Sequence, residues 1–361
     1  MNLAAVRVEL PVLERFAYLN TGTFGPLPRR TAETMAAWQR RSLEEPRASY
    51  ALFDEITSVR ATLRAAIERL IRAEPGTVAL ATSTTEGCNA VVAGLRLRPG
   101  DEVVTTDSEH PGLLGGLRAW NLDVRTARVS GRPASAALET IAREVTPRTR
   151  LVAVSHVLWT NGHVLPIREL ASLGPPLLVD GAQAAGAIPV DVVDLGCDFY
   201  TVSGQKWPLG PDATGALYIR SDWVDRLELS APSYVSWEDP ATLVPWPDAR
   251  RFEEVFLPTA SAAGLLASLE FADEAGDDRF AHARSMADRC LALVGERAEL
   301  VTEPEQATLV TWRVGGDPMA LVRRLEERDV IIRTFPGLPY ARASCGFWTS
   351  EQDLERLAAA L

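Results

Sequence analysis

The sequence predicts an α/β fold: a large domain with a mainly parallel central sheet and a smaller α+β C-terminal domain. Three observations predict it. Short apolar runs that read as strands alternate with amphipathic stretches, the pattern of strand–helix–strand units. Between Ser221 and Arg251 the periodicity is lost, and Pro232, Trp237, Pro240, Pro245, Trp246 and Pro247 gather in its place. The chain has 361 residues, which at about 150 residues per domain is enough for two.

In chain order, the strand candidates of the large unit are Thr77–Ala81, Glu102–Thr106, Val124–Val129, Arg150–Ser155, Pro176–Asp180, Asp198–Val202 and Ala213–Arg220. Helical patterns fall at Ala51–Arg72, Thr85–Leu95, Pro111–Trp120, Ser135–Val145 and Ile167–Leu173, with Pro99-Gly100 and Pro147 as punctuation. After the irregular stretch, a long helical segment from Thr259 leads to a strand at Leu309–Val314 and a helix at Pro318–Arg328. Strands near Val330–Arg333 and Arg342–Cys345 and a helix from Ser350 complete the chain. No internal repeat or low-complexity tract interrupts this order.

Composition is that of a globular protein, 47% hydrophobic and 24% charged, so disorder is excluded. A net charge of −11 repels phosphate backbones and anionic membrane surfaces, which argues against nucleic acid or membrane as a partner. No apolar run approaches the ~18 residues of a membrane span, and Met1 to Pro11 carries Arg7 and Glu9 where a signal peptide needs an apolar stretch. The expectation is a cytoplasmic protein. Cys88, Cys197, Cys290 and Cys345 lie far apart with no CxxC pair, so neither a disulfide framework nor a metal site is indicated.

One count stands apart. Of 37 Lys and Arg residues only Lys206 is a lysine. Surface lysine is readily replaced by arginine, so base composition of the coding DNA accounts for the missing ones. It does not account for the one retained. A guanidinium stays protonated, whereas a lysine amine in a dry pocket loses its proton and attacks carbonyls.

Three segments end candidate strands and carry polar residues where a parallel sheet gathers them. They are Ser83-Thr84-Thr85-Glu86-Gly87, Asp180-Gly181-Ala182-Gln183 and Ser203-Gly204-Gln205-Lys206. The first stands where a strand hands over to a helix, a place for a phosphate, although Ser and Thr there also serve as ordinary N-caps. Asp180 follows Leu177-Leu178-Val179, which puts a carboxylate at the end of a buried strand; a capped turn is the plain alternative. A phosphate cradle, a carboxylate and one lysine are together what pyridoxal 5'-phosphate requires.

Lys206 in "DFYTVSGQKWPLGPDATGALYI" and Asp180 in "LLVDGAQAAGAIPVDV" resemble the fold-type-I, class V aminotransferase family, which includes cysteine desulfurases. The resemblance extends through "YLNTGTFGPLP", "TSTTEGCNAVVAGL", "GDEVVTTDSEHPG", "SHVLWTNGHVLPI", "RRFEEVFLPTASAAGLLASL" and "IIRTFPGLPYARASCGFWTSEQDLERL", in the family's order over most of the chain. It implies a fold-type-I transferase, with residues 16–255 as the large cofactor-binding domain and 1–15 with 256–361 as the small one. By the same resemblance Lys206 is the Schiff-base lysine and acid/base, Asp180 partners the pyridinium nitrogen, and His110 stacks on the ring. Thr84, Thr85, Ser203 and Gln205 hold the phosphate, and Gln183 lies near the phenolic oxygen. Gln205 stands where most relatives have histidine. Arg333 and Arg342 occupy the family's C-terminal arginine positions, which implies an amino-acid substrate with a free α-carboxylate. A homodimer is implied by analogy.

Within the family the sequence is similar to the cystine C–S lyase branch, through "HVLW", "EHPG", "SYV.W" and the short "IRT…RA.C" ending. Trp159 takes the place of an asparagine that desulfurases use at the cofactor oxygen, with Asn161 as a cofactor neighbour. The stretch from Val314 to Ala343 holds no cysteine to receive a persulfide. The expected reaction is therefore β-elimination from cystine, cysteine or an S-substituted cysteine. Transamination or epimerisation on the same residues is the alternative, followed by persulfide-forming desulfuration and a low-activity cofactor-binding protein. Val255-Phe256 replaces the pair from which relatives reach the neighbouring subunit's phosphate. Phe24, Trp159, the Trp237–Trp246 loop and the Phe335–Tyr340 segment are the expected specificity determinants.

Overall fold

The computed structural model describes residues 1–254 and 256–361; Val255, half of the replaced pair, lies outside the described residues. Seven strands form the central sheet: β1 Val78–Ala81, β2 Glu102–Thr106, β3 Asp123–Ala127, β4 Thr149–Ser155, β5 Leu177–Asp180, β6 Phe199–Ser203 and β7 Gly215–Ile219. Their order across the sheet is β1-β7-β6-β5-β4-β2-β3, and only β7 runs against its neighbours. All residues of β1, β2, β5, β6 and β7 are buried, which is why these strands read as continuous apolar runs rather than as alternation. The edge strand β3 is half solvated and carries Asp123 and Arg125, charges that discourage pairing with another chain.

Helices cover both faces: α1 Arg29–Glu44, α2 Tyr50–Ile71, α3 Thr84–Gly94, α4 Pro111–Ala119, α5 Thr259–Glu274 and α6 Asp278–Gly295, followed by α7 Pro318–Glu326 and α8 Glu351–Ala360. The caps were legible in the residues. Ser83 accepts from the Glu86 N–H, and Ser350 with Asp353 forms a reciprocal capping box. Helix α1 was not anticipated, because it is polar overall and buries only Thr31. Packing against α5 holds it, with the Thr31 and Ser268 hydroxyls 2.7 Å apart.

Two apolar layers sandwich the sheet. Leu177, Val179, Tyr200 and Val202 face one, together with Leu63, Ile67, Leu265 and Leu269 of α2 and α5. Leu178, Phe199 and Leu217 face the other, with Val91 of α3 and Leu113 and Leu117 of α4. The N-terminal Val6, Leu10 and Leu13 join the first layer. A third cluster lies around a small antiparallel sheet of β8 Leu309–Arg313, β9 Arg333–Thr334 and β10 Tyr340–Ser344, and it recruits Ala17 and Leu19 from the start of the chain.

Two expectations need correction. The single strand expected over Val330–Arg333 is split: Val330–Ile331 pairs in parallel with Ala17–Tyr18, and Arg333–Thr334 pairs with β10. The backbone changes partner there because the N-terminal segment occupies one side, and after the change Arg333 reaches Thr23 Oγ1 at 3.1 Å. The helix expected over Ser135–Val145 is α-helical only at Ala137–Ala142. The stretch after β7 is irregular as expected, apart from the short hairpin of Trp237–Asp239 with Val244–Pro245.

One buried charge ties α2 to the sheet. Glu253, 1% exposed, accepts from Arg60 Nη2, from Arg64 Nε at 2.7 Å and from the β1 amide of Leu80 at 3.2 Å. Removing the carboxylate leaves the Arg60 guanidinium buried without a counter-charge. Glu253→Ala is therefore expected to lose about 3–5 kcal/mol of unfolding free energy, read by denaturant titration.

Candidate active site

Loops at the C-terminal ends of β1, β2, β4, β5 and β6 converge on one spot, and each brings a polar side chain. Ser155, Asp180 and Thr201 lie at the same level on three adjacent strands. Asp180 is buried, and its Oδ1 accepts the Ala182 N–H at 2.9 Å. Three residues beyond β6 stands Lys206. Burial pushes its amine down to about 8; the Asp180 carboxylate opposes that shift, and the Arg342 and Arg333 cations add to it. The lone lysine thus comes within electrostatic reach of the carboxylate the sequence assigned to it.

His110 caps α4 by accepting the Gly112 N–H on Nδ1 at 3.1 Å, so any proton it holds sits on Nε2. Burial, with the nearby Lys206 cation, lowers its pKa and keeps the imidazole neutral. The Trp159 indole stands edge-on to it at 5.2 Å, and Phe335 stands edge-on to Trp159 at 5.2 Å.

At the N-terminus of α3, Ser83 Oγ serves the Glu86 amide, while among the described residues the Thr84 and Thr85 N–H groups have no acceptor within the protein. An ideal Cβ on Gly112 would stand 2.3 Å from Thr85 Oγ1, which places that hydroxyl beside the His110 turn. Ser203 Oγ donates to Gln205 Oε1 at 3.0 Å, and Gln205 Nε2 is left for another acceptor. Free amides, hydroxyls and an amide side chain at a helix N-terminus suit a phosphate.

Arg342 is fully buried. Its Nη1 donates to the Trp159 carbonyl, while Nε and Nη2 have no partner. Burial and the Arg333 cation depress its pKa, the signature of a guanidinium without a counter-charge; it remains a cation. The fork lies against Gly22, where an ideal Cβ would stand 2.3 Å from Arg342 Nη2 and displace the guanidinium. Two unpaired N–H groups on a buried fork are what a carboxylate completes. Arg333 is half-buried, donates to Thr23 Oγ1 at 3.1 Å, and lies 5.6 Å from the Trp159 ring centre. The indole Nε1 of Trp159 is likewise buried and unpaired. These orphaned donors, the free α3 amides and the carboxylate–amine pair fit pyridoxal phosphate with an amino acid bound to it.

Two expected residues spend their side chains within the protein. Gln183 donates from Nε2 to the Gly22 carbonyl at 2.8 Å and accepts Trp207 Nε1 at 3.0 Å, leaving one N–H. Asn161 Oδ1 accepts the His163 N–H at 3.1 Å and closes its own turn. The sequence reading missed Glu109. This buried carboxylate accepts from Thr106 Oγ1 at 2.7 Å and from the Ser155 N–H and hydroxyl, joining β2 to β4 beneath His110. Burial raises its pKa to about 7 against those hydrogen bonds. Its signal was the acidic residue preceding His110. All four cysteines are free and buried, and Cys345, packed beside Cys290, has its thiol pKa raised.

The lowered amine pKa has a measurable consequence. Burial disfavours the ammonium, so Lys206 loses its proton as pH rises through about 8 rather than 10.5. Amine labelling of cofactor-free protein, followed peptide by peptide by mass spectrometry, is expected to reach half its plateau rate at Lys206 near pH 8.

Comparison with known proteins places this geometry. Residues 17–357 match the family model described as Aminotransferase class-V. Isopenicillin N epimerase of Streptomyces clavuligerus is 32% identical, over 95% of this chain and 93% of its own. A probable cysteine desulfurase of Methanothermobacter thermautotrophicus is 30% identical, over 91% of this chain and 85% of its own. The solved complex of the cystine C–S lyase C-DES with its reaction product cysteine persulfide superposes with a TM-score of 0.91 at 29% identity, covering 97% of this chain and 98% of that one. A lysine-to-alanine mutant of C-DES, with glycine covalently linked to the PLP cofactor, also superposes at 0.91 and 29% identity, over 98% of both chains. No helix among the described residues is long and apolar enough to cross a membrane. With a match over nearly its whole length and every strand-end loop in its expected place, this chain belongs to the class V aminotransferase family.

Proposed function

We propose that the protein is a pyridoxal-phosphate enzyme that cleaves the C–S bond of cystine, cysteine or an S-substituted cysteine by β-elimination. The observation that carries the reading is a buried lysine amine, Lys206, within electrostatic reach of both the Asp180 carboxylate and the Arg342 guanidinium, whose Nε and Nη2 are unpaired. When bound, pyridoxal phosphate supplies an electron sink for the pair left at Cα. Thr84, Thr85, Ser203 and Gln205 would hold its phosphate, Asp180 its ring nitrogen, and His110 one face of the ring.

Arg342 takes the α-carboxylate with Nε and Nη2 and so fixes the amino acid against Trp159 and Phe335. Lys206, neutral above about pH 8, removes the Cα proton. The Cβ–S electron pair leaves with sulfur as a thiolate or persulfide, and the released 2-aminoacrylate hydrolyses to pyruvate and ammonia. The depressed pKa of Lys206, about 8, places its amine near neutrality, where proton transfer is most effective, while burial lowers that of His110 and disfavours its cation. Persulfide relay to a protein thiol finds no support, since Cys88, Cys197, Cys290 and Cys345 are all buried. The epimerase relative at 32% identity favours epimerisation as the second reading.

Incubation with cystine is expected to release pyruvate. Epimerisation would instead exchange the Cα proton with solvent deuterium and invert the centre without pyruvate, and desulfuration would yield alanine. Lys206→Ala is expected to abolish both turnover and the visible absorption of the lysine-bound cofactor. Arg342→Lys, which loses the fork, is expected to lower kcat/KM about 100-fold, chiefly through KM.

The reading includes a homodimer. Phe53 and Tyr234 line one cavity with Trp38 and Phe256, and Leu43 and Tyr50 near the facing ends of α1 and α2 are 88% and 92% exposed, apolar surface that a second copy would cover. Light scattering is expected to give twice the 39.2 kDa chain mass.

A further inference from the structure

The turn that carries Trp159 lies in the chain between β4 and β5, yet the C-terminal part of the molecule takes its backbone groups. The Trp159 carbonyl accepts from Arg342 Nη1, and the Asn161 carbonyl accepts from Thr302 Oγ1 at 2.6 Å. The Gly162 carbonyl accepts the Ala307 N–H at 3.2 Å, and the Val164 N–H donates to Gln306 Oε1 at 2.9 Å. Gly162, at φ +77°, lies so close to β8 that an ideal Cβ would stand 2.7 Å from the Leu309 carbonyl oxygen. The turn is therefore held from outside its own domain, at every backbone group named.

Thr302 is the joint. It is buried, and its hydroxyl uses both capacities: it donates to the Asn161 carbonyl and accepts the Thr311 N–H at 2.9 Å. Thr311 lies directly across the β8–β10 ladder from Arg342. One hydroxyl thus ties the turn bearing the indole to the strand pair that sets the guanidinium, while Arg342 itself makes the second tie on the Trp159 carbonyl.

We propose that Thr302 is a positioning residue: its hydroxyl makes the Trp159 turn and the Arg342 carboxylate clamp one unit, so that a carboxylate on Arg342 and the indole beside His110 are set together. The inference rests on the reading that Arg342 takes the substrate's α-carboxylate, and deepens it. Valine at position 302 keeps the shape of threonine but removes both hydrogen bonds, whereas serine keeps both. Loss of the joint lets the turn and the clamp move separately, and small misplacements of this kind weaken binding and catalysis disproportionately.

The test uses cofactor-loaded protein and glycine, an amino acid with a carboxylate but no β-substituent to eliminate. In Thr302→Val the glycine concentration that half-converts the visible circular dichroism of the cofactor is expected to rise on the order of tenfold. Hydrogen exchange across residues 158–164 is expected to accelerate, and Thr302→Ser to restore both readouts. Thr302→Val with the wild-type glycine midpoint and wild-type exchange overturns the proposal. Should Thr302→Val not fold, Thr302→Ala, which loses the same two hydrogen bonds and needs no second branch to be packed, is expected to shift both readouts the same way; an unshifted response overturns the proposal equally. Wild-type protein that takes up no cofactor defeats the functional reading instead, so the two failures are distinguishable.

Discussion

An excess of buried positive charge organises this molecule's groove. Lys206 lies within electrostatic reach of Arg342, Arg333 and the Asp180 carboxylate, and burial penalises all three cations. Water is too scarce there to repay the lost solvation, so the site is completed by anions from outside. In the proposed function those anions are a phosphate at the free amides of α3 and an α-carboxylate on Arg342, and each has a separate set of unpaired donors. The same imbalance lowers the Lys206 amine to the range in which it exchanges protons near neutral pH. Binding and chemistry thus share one electrostatic cause.

The sheet supplies the precision that such a site needs. Strands β4, β5 and β6 are buried on both faces and register Ser155, Asp180 and Thr201 at one level. Their loops then have few alternatives: Glu109 braces β2 against β4, His110 caps α4, and Ser83 caps α3. Each functional loop is also a helix start or a strand brace, so misplacing the site would cost fold stability as well. This makes the C-terminal edge of the sheet rigid, whereas the contacts of Arg342, Thr302 and Gln306 let the C-terminal part set the Trp159 turn.

All four cysteines are buried, and the chain's one lysine is the buried Lys206. Both observations concern residues that are scarce. In a chain whose other cations are all arginine, a retained lysine marks a position where deprotonation matters.

The central sheet was legible because both-face burial writes itself as uninterrupted apolar runs; all seven strands lie within two residues of their expected bounds, and Asp180 and Lys206 follow from the ends of such runs. The partners of Gln183 and Asn161, the role of Glu109, the helix Arg29–Glu44 and the break at Ile332 were not legible. Each depends on contacts between segments distant in the chain: Glu109 with Ser155, Arg29–Glu44 with Thr259–Glu274, Asn161 with Thr302. Local periodicity carries no record of such pairings. The sequence by itself determined which residues have the chemistry and which strands present them, because hydrophobic period and residue type are local properties. Only the tertiary structure decided which donors remain unpaired and which part of the molecule holds the Trp159 turn, because satisfaction of a buried polar group is settled by whatever packs against it.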